Sequence, residues 1–293
     1  MHDHRIEKNS KKLILSIALT GLIFFAEFAG GLWTGSLALL SDSAHVFMDM
    51  FALGLSYLAI RVANLPANDR HTFGFHRMQV LAAFINGATL LLISFEILRE
   101  AINRFQNPEP IVAGPMLIIA VIGLIVNIVV ALVLREHDHD DLNTRAAFLH
   151  VLGDALASVG VIVAGIAIFF TGWDWIDPLV SVLISLLILF SSGRLLKQTI
   201  HILAEGIPEG MNASEVADTM KTIIGVEEVH ELHIWTVSPG FISLSAHVIL
   251  SDQLISQSET IMGEIKRLLN NKYSIEHTTI QFECKNCETK VMC

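Results

Sequence analysis

The run VAGPMLIIAVIGLIVNIVVALVL, residues 112–134, contains no ionisable side chain. As an α-helix it would be about 34 Å long, enough to cross a hydrocarbon layer ~30 Å thick. Five further stretches resemble it. Residues 14–34 hold only Glu27, and residues 78–98 only Glu96. Residues 37–60 hold Asp42, His45 and Asp49, and residues 146–172 hold His150 and Asp154. Residues 176–199 hold Asp177, Arg194 and Lys197, all near the ends. Of the 293 residues, 53% are hydrophobic and 16% charged, and the mean hydropathy is +0.58. Soluble domains run near 45–50% and 25%. Six buried helices of a large soluble protein would each need a polar face, which these lack. The composition also excludes a disordered chain. The sequence therefore predicts an α-helical membrane protein with six transmembrane helices. The first stretch is too long for the apolar part of a signal peptide and no small-residue cleavage site follows it, so it is expected to stay in place.

Lys and Arg give the orientation. The N-terminus (Arg5, Lys8, Lys11, Lys12), the loops after the second and fourth stretches (Arg61, Arg70, Arg77; Arg135, Arg145) and the end of the sixth (Arg194, Lys197) hold 11 of them on one side. Arg99 and Arg104 are the only two on the other. This bias puts both termini in the cytoplasm. Trp33, Trp173 and Trp175 fit an aromatic belt at the opposite interface. Net charge is −10, which argues against a nucleic-acid partner. Residues 1–199 carry 16 acidic and 13 basic side chains, and residues 200–293 carry 13 and 6. Hydropathy changes at the same place, so the expected organisation is an N-terminal segment 1–12, a transmembrane domain 13–199 and a cytoplasmic domain 200–293. The last reads as helix 212–224, a hairpin of strands 228–237 and 241–250, helix 256–271 and strand 276–284, the order of an α+β ferredoxin-like domain. The three cysteines, Cys284, Cys287 and Cys293, all lie in the last ten residues, which excludes a disulfide framework and suits a reducing compartment.

Ionisable residues deep in the apolar stretches are the chemical signal. In SDSAHVFMDM, residues 41–50, His45 and Asp49 are four apart on one helix face, and Asp42 shares that face. In LHVLGDAL, residues 149–156, His150 and Asp154 repeat the spacing. An ionised Asp at mid-membrane costs roughly 2.5–3.5 kcal/mol on insertion scales. Facing each other, the two pairs would form a tetrahedral two-His, two-carboxylate site suited to Zn²⁺, its charge balanced by the carboxylates. The competing reading pairs each His with its own Asp as packing between helices. Glu27 reads equally as lining the same cavity or bonding a neighbouring helix, and Asn86 and Asn127 as interhelical hydrogen-bond partners.

These residues carry a family resemblance. SLALLSDSAHVFMD, HTFGFHR, AFLHVLGDALASVG and WDWIDPLVSVLI in the membrane part resemble the cation diffusion facilitator family of metal transporters, in its zinc-transporting branch. So do VHELHIWTVSPG, LSAHV and HTTIQFE in the tail. The resemblance implies a homodimer in the cell (inner) membrane that exports Zn²⁺ from the cytoplasm in exchange for H⁺, with His45, Asp49, His150 and Asp154 as the transport site. Cd²⁺ and Co²⁺ suit the same ligands. Imidazole binds metal only when deprotonated, so loading releases protons and protonation expels metal. It also implies that His230, His247 and Glu283, with His277 of the zinc-transporter branch, bind zinc in the cytoplasmic domain, while His233 is structural. Asn68, His71 and Phe75 occupy a peripheral metal site of some members and retain one ligand of three. His76 matches secretory-type relatives. A charge pair near the ends of the helices has its counterpart in Arg77 and Glu205.

Three features remain open. Cys284-x2-Cys287 is half a structural zinc site, which His2 and His4 of a neighbouring N-terminus would complete; the other reading is a tail with two free thiols. His137 and His139, in EHDHDD, and His2-Asp3-His4 read as metal-gathering or as solvated segments. For function, the alternative to an antiporter is a membrane-anchored zinc sensor or scaffold signalling through the cytoplasmic domain. An enzyme is not expected: HExxH is missing, and four filled ligand positions leave none for a catalytic water.

Overall fold

The computed structural model describes residues 2–135 and 142–284, with side chains from residue 18 onward apart from 131, 133–135, 142–152 and 154. Six long helices come first: α1 (His2–Thr34), α2 (Leu37–Ala63), α3 (Met78–Gln106), α4 (Ala113–Arg135), α5 (Leu142–Thr171) and α6 (Ile176–Leu203). By length and composition α2, α3, α6 and the Ala113–Val130 part of α4 can each cross a membrane. The described apolar parts of α1 and α5 are Ala18–Thr34 and Ala155–Thr171. Pro115 and Pro178 each sit in a first helical turn, where a missing N–H costs nothing. Gly35, at φ 74, makes the turn between α1 and α2 against the Pro110 carbonyl, a conformation that glycine adopts without strain.

These helices invert the soluble pattern. Large apolar side chains such as Phe25, Leu92, Val163, Phe170 and Leu187 face outward. Glu27, Asp42, Ser41, Ser43, Ser94, Ser158, Ser181 and Ser185 are buried. Ala38, Leu39, Met48, Met116, Val161 and Ile184 belong to one packed cluster. Lipid, unlike water, rewards an apolar exterior and leaves polar groups to be satisfied inside.

The C-terminal domain contains α7 (Ala213–Lys221), β1 (Val226–Ser238), β2 (Phe241–Leu250), α8 (Ile255–Tyr273) and β3 (His277–Glu283). Asn212 caps α7 by accepting the Ser214 N–H at 2.9 Å. The sheet order is β1-β2-β3, with β2 antiparallel to β1 and parallel to β3. Helix α8 makes the long crossover that a parallel pair requires. Val216, Met220, Ile265 and Leu269 pack on Leu232, Ile234, Leu244 and Val248. Thus the ferredoxin-like order is found, with each element within a few residues of its expected limits.

By contacts the chain divides into Met1–Leu55 with Ile85–Arg194, and Ser56–Phe84 with Leu195–Cys293. The segment between α2 and α3 thus belongs with the C-terminal domain. Within that second unit His76 meets Phe241 edge-on at 5.1 Å, and Phe73 meets His277 at 5.7 Å.

The register of β1 shifts by one residue between His230, opposite His247, and His233, opposite Ser245. Glu231 takes φ 48 there. This bulge lets Val229 and Leu232, three apart, both face the core, while His230 faces the other side. Gly225, at φ 95, precedes β1 and has Ile261 within 2.8 Å of where a Cβ would sit. Gly225→Ala should therefore destabilise this domain by about 1–2 kcal/mol. Amide exchange of β1 and α8 in the full chain should accelerate about tenfold or more, and unchanged exchange would contradict the packing described.

Candidate metal centres

Helix α2 presents His45 and Asp49 one turn apart, with His45 Nε2 3.7 Å from Asp49 Oδ2. Both are about a quarter exposed. Asp42, three residues before His45, is 2% exposed. Its Oδ2 accepts a 3.3 Å hydrogen bond from Ser158 Oγ of α5. Ser158 in turn accepts from Asn127 Nδ2 of α4, also at 3.3 Å. Three helices are thereby tied at one level. Glu27 of α1 is 1% exposed and lies over Gly123 of α4, where any larger side chain would collide with its Oε1. His150 and Asp154 lie on α5, but their side chains are outside the described residues.

The sequence alone does not single out Ser158. The available signal was spacing: it follows Asp154 by four residues and shares its face, as Asp42 does with His45.

The second centre is on the sheet face away from α7 and α8. His230 and His247 are paired across β1 and β2, their ring centroids 5.4 Å apart. Glu283, on β3, places Oε2 3.2 Å from His230 Nε2 and Oε1 2.9 Å from His247 Nδ1. The three residues offer ligand atoms within 4.8 Å of one another. His230 is 1% exposed, and no hydrogen bond reaches its Nδ1 among the described residues. An imidazole buried without a full set of partners is costly. Two imidazoles and a carboxylate suit a borderline-soft divalent cation.

His277 does not join them. It opens β3, six residues from Glu283, about 20 Å away along a strand. Its ring lies between Phe73 and Phe241. Cys284 is exposed with a free thiol. Cys287, Cys293, His137 and His139 lie outside the described residues. His2 and His4 are in α1, without described side chains. His233 is exposed, 3.6 Å from Glu231.

Asn68 and His71 form a tight backbone turn, in which Asn68 Oδ1 accepts from the N–H groups of Arg70 and His71. His71 packs against Phe75 with ring centroids 4.6 Å apart, so this turn is built from hydrogen bonds and ring contact. The Arg77–Glu205 pair is formed: Arg77 Nη2 donates to Glu205 Oε1 at 2.9 Å. Both side chains are substantially exposed, so the pair contributes ~1 kcal/mol or less to stability.

A family model described as the cation efflux transmembrane domain matches residues 13–204, and the cytoplasmic domain of cation efflux proteins matches residues 208–285. A cadmium, cobalt and zinc/H⁺-K⁺ antiporter of Bacillus subtilis is 43% identical, covering 100% of this chain and 95% of its own. The zinc transporter ZitB of Pectobacterium atrosepticum is 41% identical over 98% of this chain and 89% of its own. The metal cation efflux system protein CzcD of Cupriavidus metallidurans is 40% identical over 98% and 90%. Among solved structures, the metal-bound C-terminal domain of a CzcD transporter matches at 36% identity, covering 25% of this chain and 99% of that one, with a TM-score of 0.23. Six long helices with an apolar exterior and buried polar groups, and two family domains that together take in nearly the whole chain, agree: this is a multi-pass membrane protein that belongs to the cation efflux family.

Proposed function

We propose that the chain exports Zn²⁺ from the cytoplasm in exchange for protons, binding it between α2 and α5 at His45, Asp49, His150 and Asp154. The observation that carries this reading is the Ser158–Asp42 hydrogen bond. If all six helices span, α2 and α5 run antiparallel. From that bond the next turns of α2 bring His45 and then Asp49, and the next turns of α5 bring Asp154 and then His150. Helical spacing puts positions 45 and 49 on the face of Asp42 and positions 150 and 154 on the face of Ser158, as a shared site requires. Two carboxylates balance a divalent charge that lipid would otherwise penalise, and two imidazoles exchange protons for metal. Proton-coupled antiport is also in the name of the Bacillus subtilis relative. The protein works as a carrier, not an enzyme, as a homodimer in the cell (inner) membrane with both termini in the cytoplasm. Cd²⁺ and Co²⁺ are further cargoes.

His230, His247 and Glu283 bind a second Zn²⁺ in the C-terminal domain. This cluster also supports a second reading, a membrane-anchored sensor that reports zinc through its tail.

Flux separates the two. In inside-out vesicles an acid interior should stimulate zinc uptake several-fold, and Asp49→Ala or Asp154→Ala should each reduce uptake at least about a hundredfold. A folded wild type that binds zinc but moves none would transfer the reading to the sensor. Arg77→Glu should slow uptake roughly threefold or more without unfolding the protein, and Glu205→Arg in the same chain should restore it. No rescue would show that the pair does not act as a unit. In equilibrium dialysis His247→Ala and Glu283→Ala should each lose one tightly bound zinc per chain, whereas His277→Ala should lose none. Loss with His277→Ala would place that residue among the ligands.

A further inference from the structure

The first N–H groups of a helix have no partner within it. In α2 those of Leu37 and Ala38 are satisfied from 140 and 139 residues away. Asp177, in the first turn of α6, accepts the Leu37 N–H on Oδ2 at 2.7 Å and approaches the Ala38 N–H at 3.3 Å through Oδ1. Ser36 Oγ donates to Asp177 Oδ1 at 2.6 Å and accepts the Leu39 N–H at 3.1 Å. Ser36 and Asp177 are both 0% exposed. The same turn is gripped twice more: the Gly35 carbonyl accepts from Arg104 of α3, and the Thr34 carbonyl accepts the Val112 N–H before α4 at 3.0 Å. Arg104 is held in turn by Glu100 at 3.2 Å and Glu109 at 3.0 Å.

A carboxylate at a helix N-terminus is favoured by the helix dipole. His45 lies eight residues further along α2, about 12 Å along its axis, too far for Asp177 to touch a cation there. We propose that Asp177 is a positioning residue for transport: it anchors the end of α2 remote from the Arg77 loop, so that the helix carrying His45 and Asp49 moves about a fixed point. This rests on the transport reading above.

The test uses the full-length chain in inside-out vesicles. Asp177→Ala should lower maximal zinc uptake about tenfold or more while the zinc concentration for half-maximal uptake stays within about threefold. Asp177→Asn keeps an acceptor for the Leu37 N–H and should recover a substantial part of the rate. Ser36→Asp placed in the Asp177→Ala chain gives α2 its own acidic cap and should recover some as well. Amide exchange on the solubilised protein reads the same bonds without transport: peptides covering residues 36–41 should exchange roughly tenfold faster in Asp177→Ala, and those covering 45–60 should not. Half-saturating zinc that rises as the rate falls would mean the carboxylate meets the cargo, and the proposal fails. It fails equally if Asp177→Asn is as slow as Asp177→Ala while its exchange is normal, or if Asp177→Ala changes neither uptake nor exchange. A wild type that moves no zinc but shows the exchange difference upholds the anchor and overturns the transport reading alone.

Discussion

Hydrocarbon offers no hydrogen bonds, so every polar side chain in the lipid-embedded parts of α1–α6 must find its partner inside the protein. That constraint organises the membrane part more than apolar packing does, because lipid tails are as good a solvent for Leu as another helix is. Some hydroxyls return to their own helix: Ser41 to the Leu37 carbonyl at 2.7 Å, Ser94 to the Leu90 carbonyl at 2.7 Å, Ser185 to the Ser181 carbonyl at 2.7 Å. Others reach across, and these set which faces meet. Asn127, Ser158 and Asp42 join α4, α5 and α2. Asp177 joins α6 to the start of α2.

The C-terminal domain answers to a different rule. Water surrounds it, and its core is the usual apolar layer between helices and sheet. Here the cost is carried by the backbone. Glu231 adopts a left-handed conformation that suits glycine better. In return β1 keeps Val229 and Leu232 in the core and still turns His230 to the face where His247 and Glu283 are. A regular strand would put Glu231 and His233 in the core in place of Leu232 and Ile234.

Much of this was legible in the sequence, and the parts that were not have physical reasons. Six apolar stretches report helices because a span has one length and one solvent. The αββαβ order followed from ordinary periodicity. The Arg77–Glu205 pair was found through a resemblance, and spacing alone would not have paired residues 128 apart. The grouping of His230, His247 and Glu283 needs strand register, which a bulge alters by one residue. The resemblance groups His277 with them, but six residues of extended chain separate it from Glu283. In the sequence Asp177 is merely a charge near a helix end, since nothing local shows that its partners are the N–H groups of Leu37 and Ala38.

The two ends of α6 differ in what holds them. Its start is fixed by a buried carboxylate with three donors, and losing one partner of such a set costs about 1–3 kcal/mol or more. Just past its other end, Glu205 meets Arg77 in the open, where solvent can take over either partner and the net contribution is ~0–1 kcal/mol. Glu205 also has φ 60, so the chain leaves α6 through a conformation held by its surroundings. A conformational change distributes itself where bonds are cheapest to exchange. Alternating access built on these helices would therefore keep the Asp177 end closed upon itself and take its movement at the Arg77–Glu205 end. On the transport reading proposed above, the His45–Asp49 pair of α2 begins eight residues from Leu37, whose N–H Asp177 holds, near enough to that contact to keep its register.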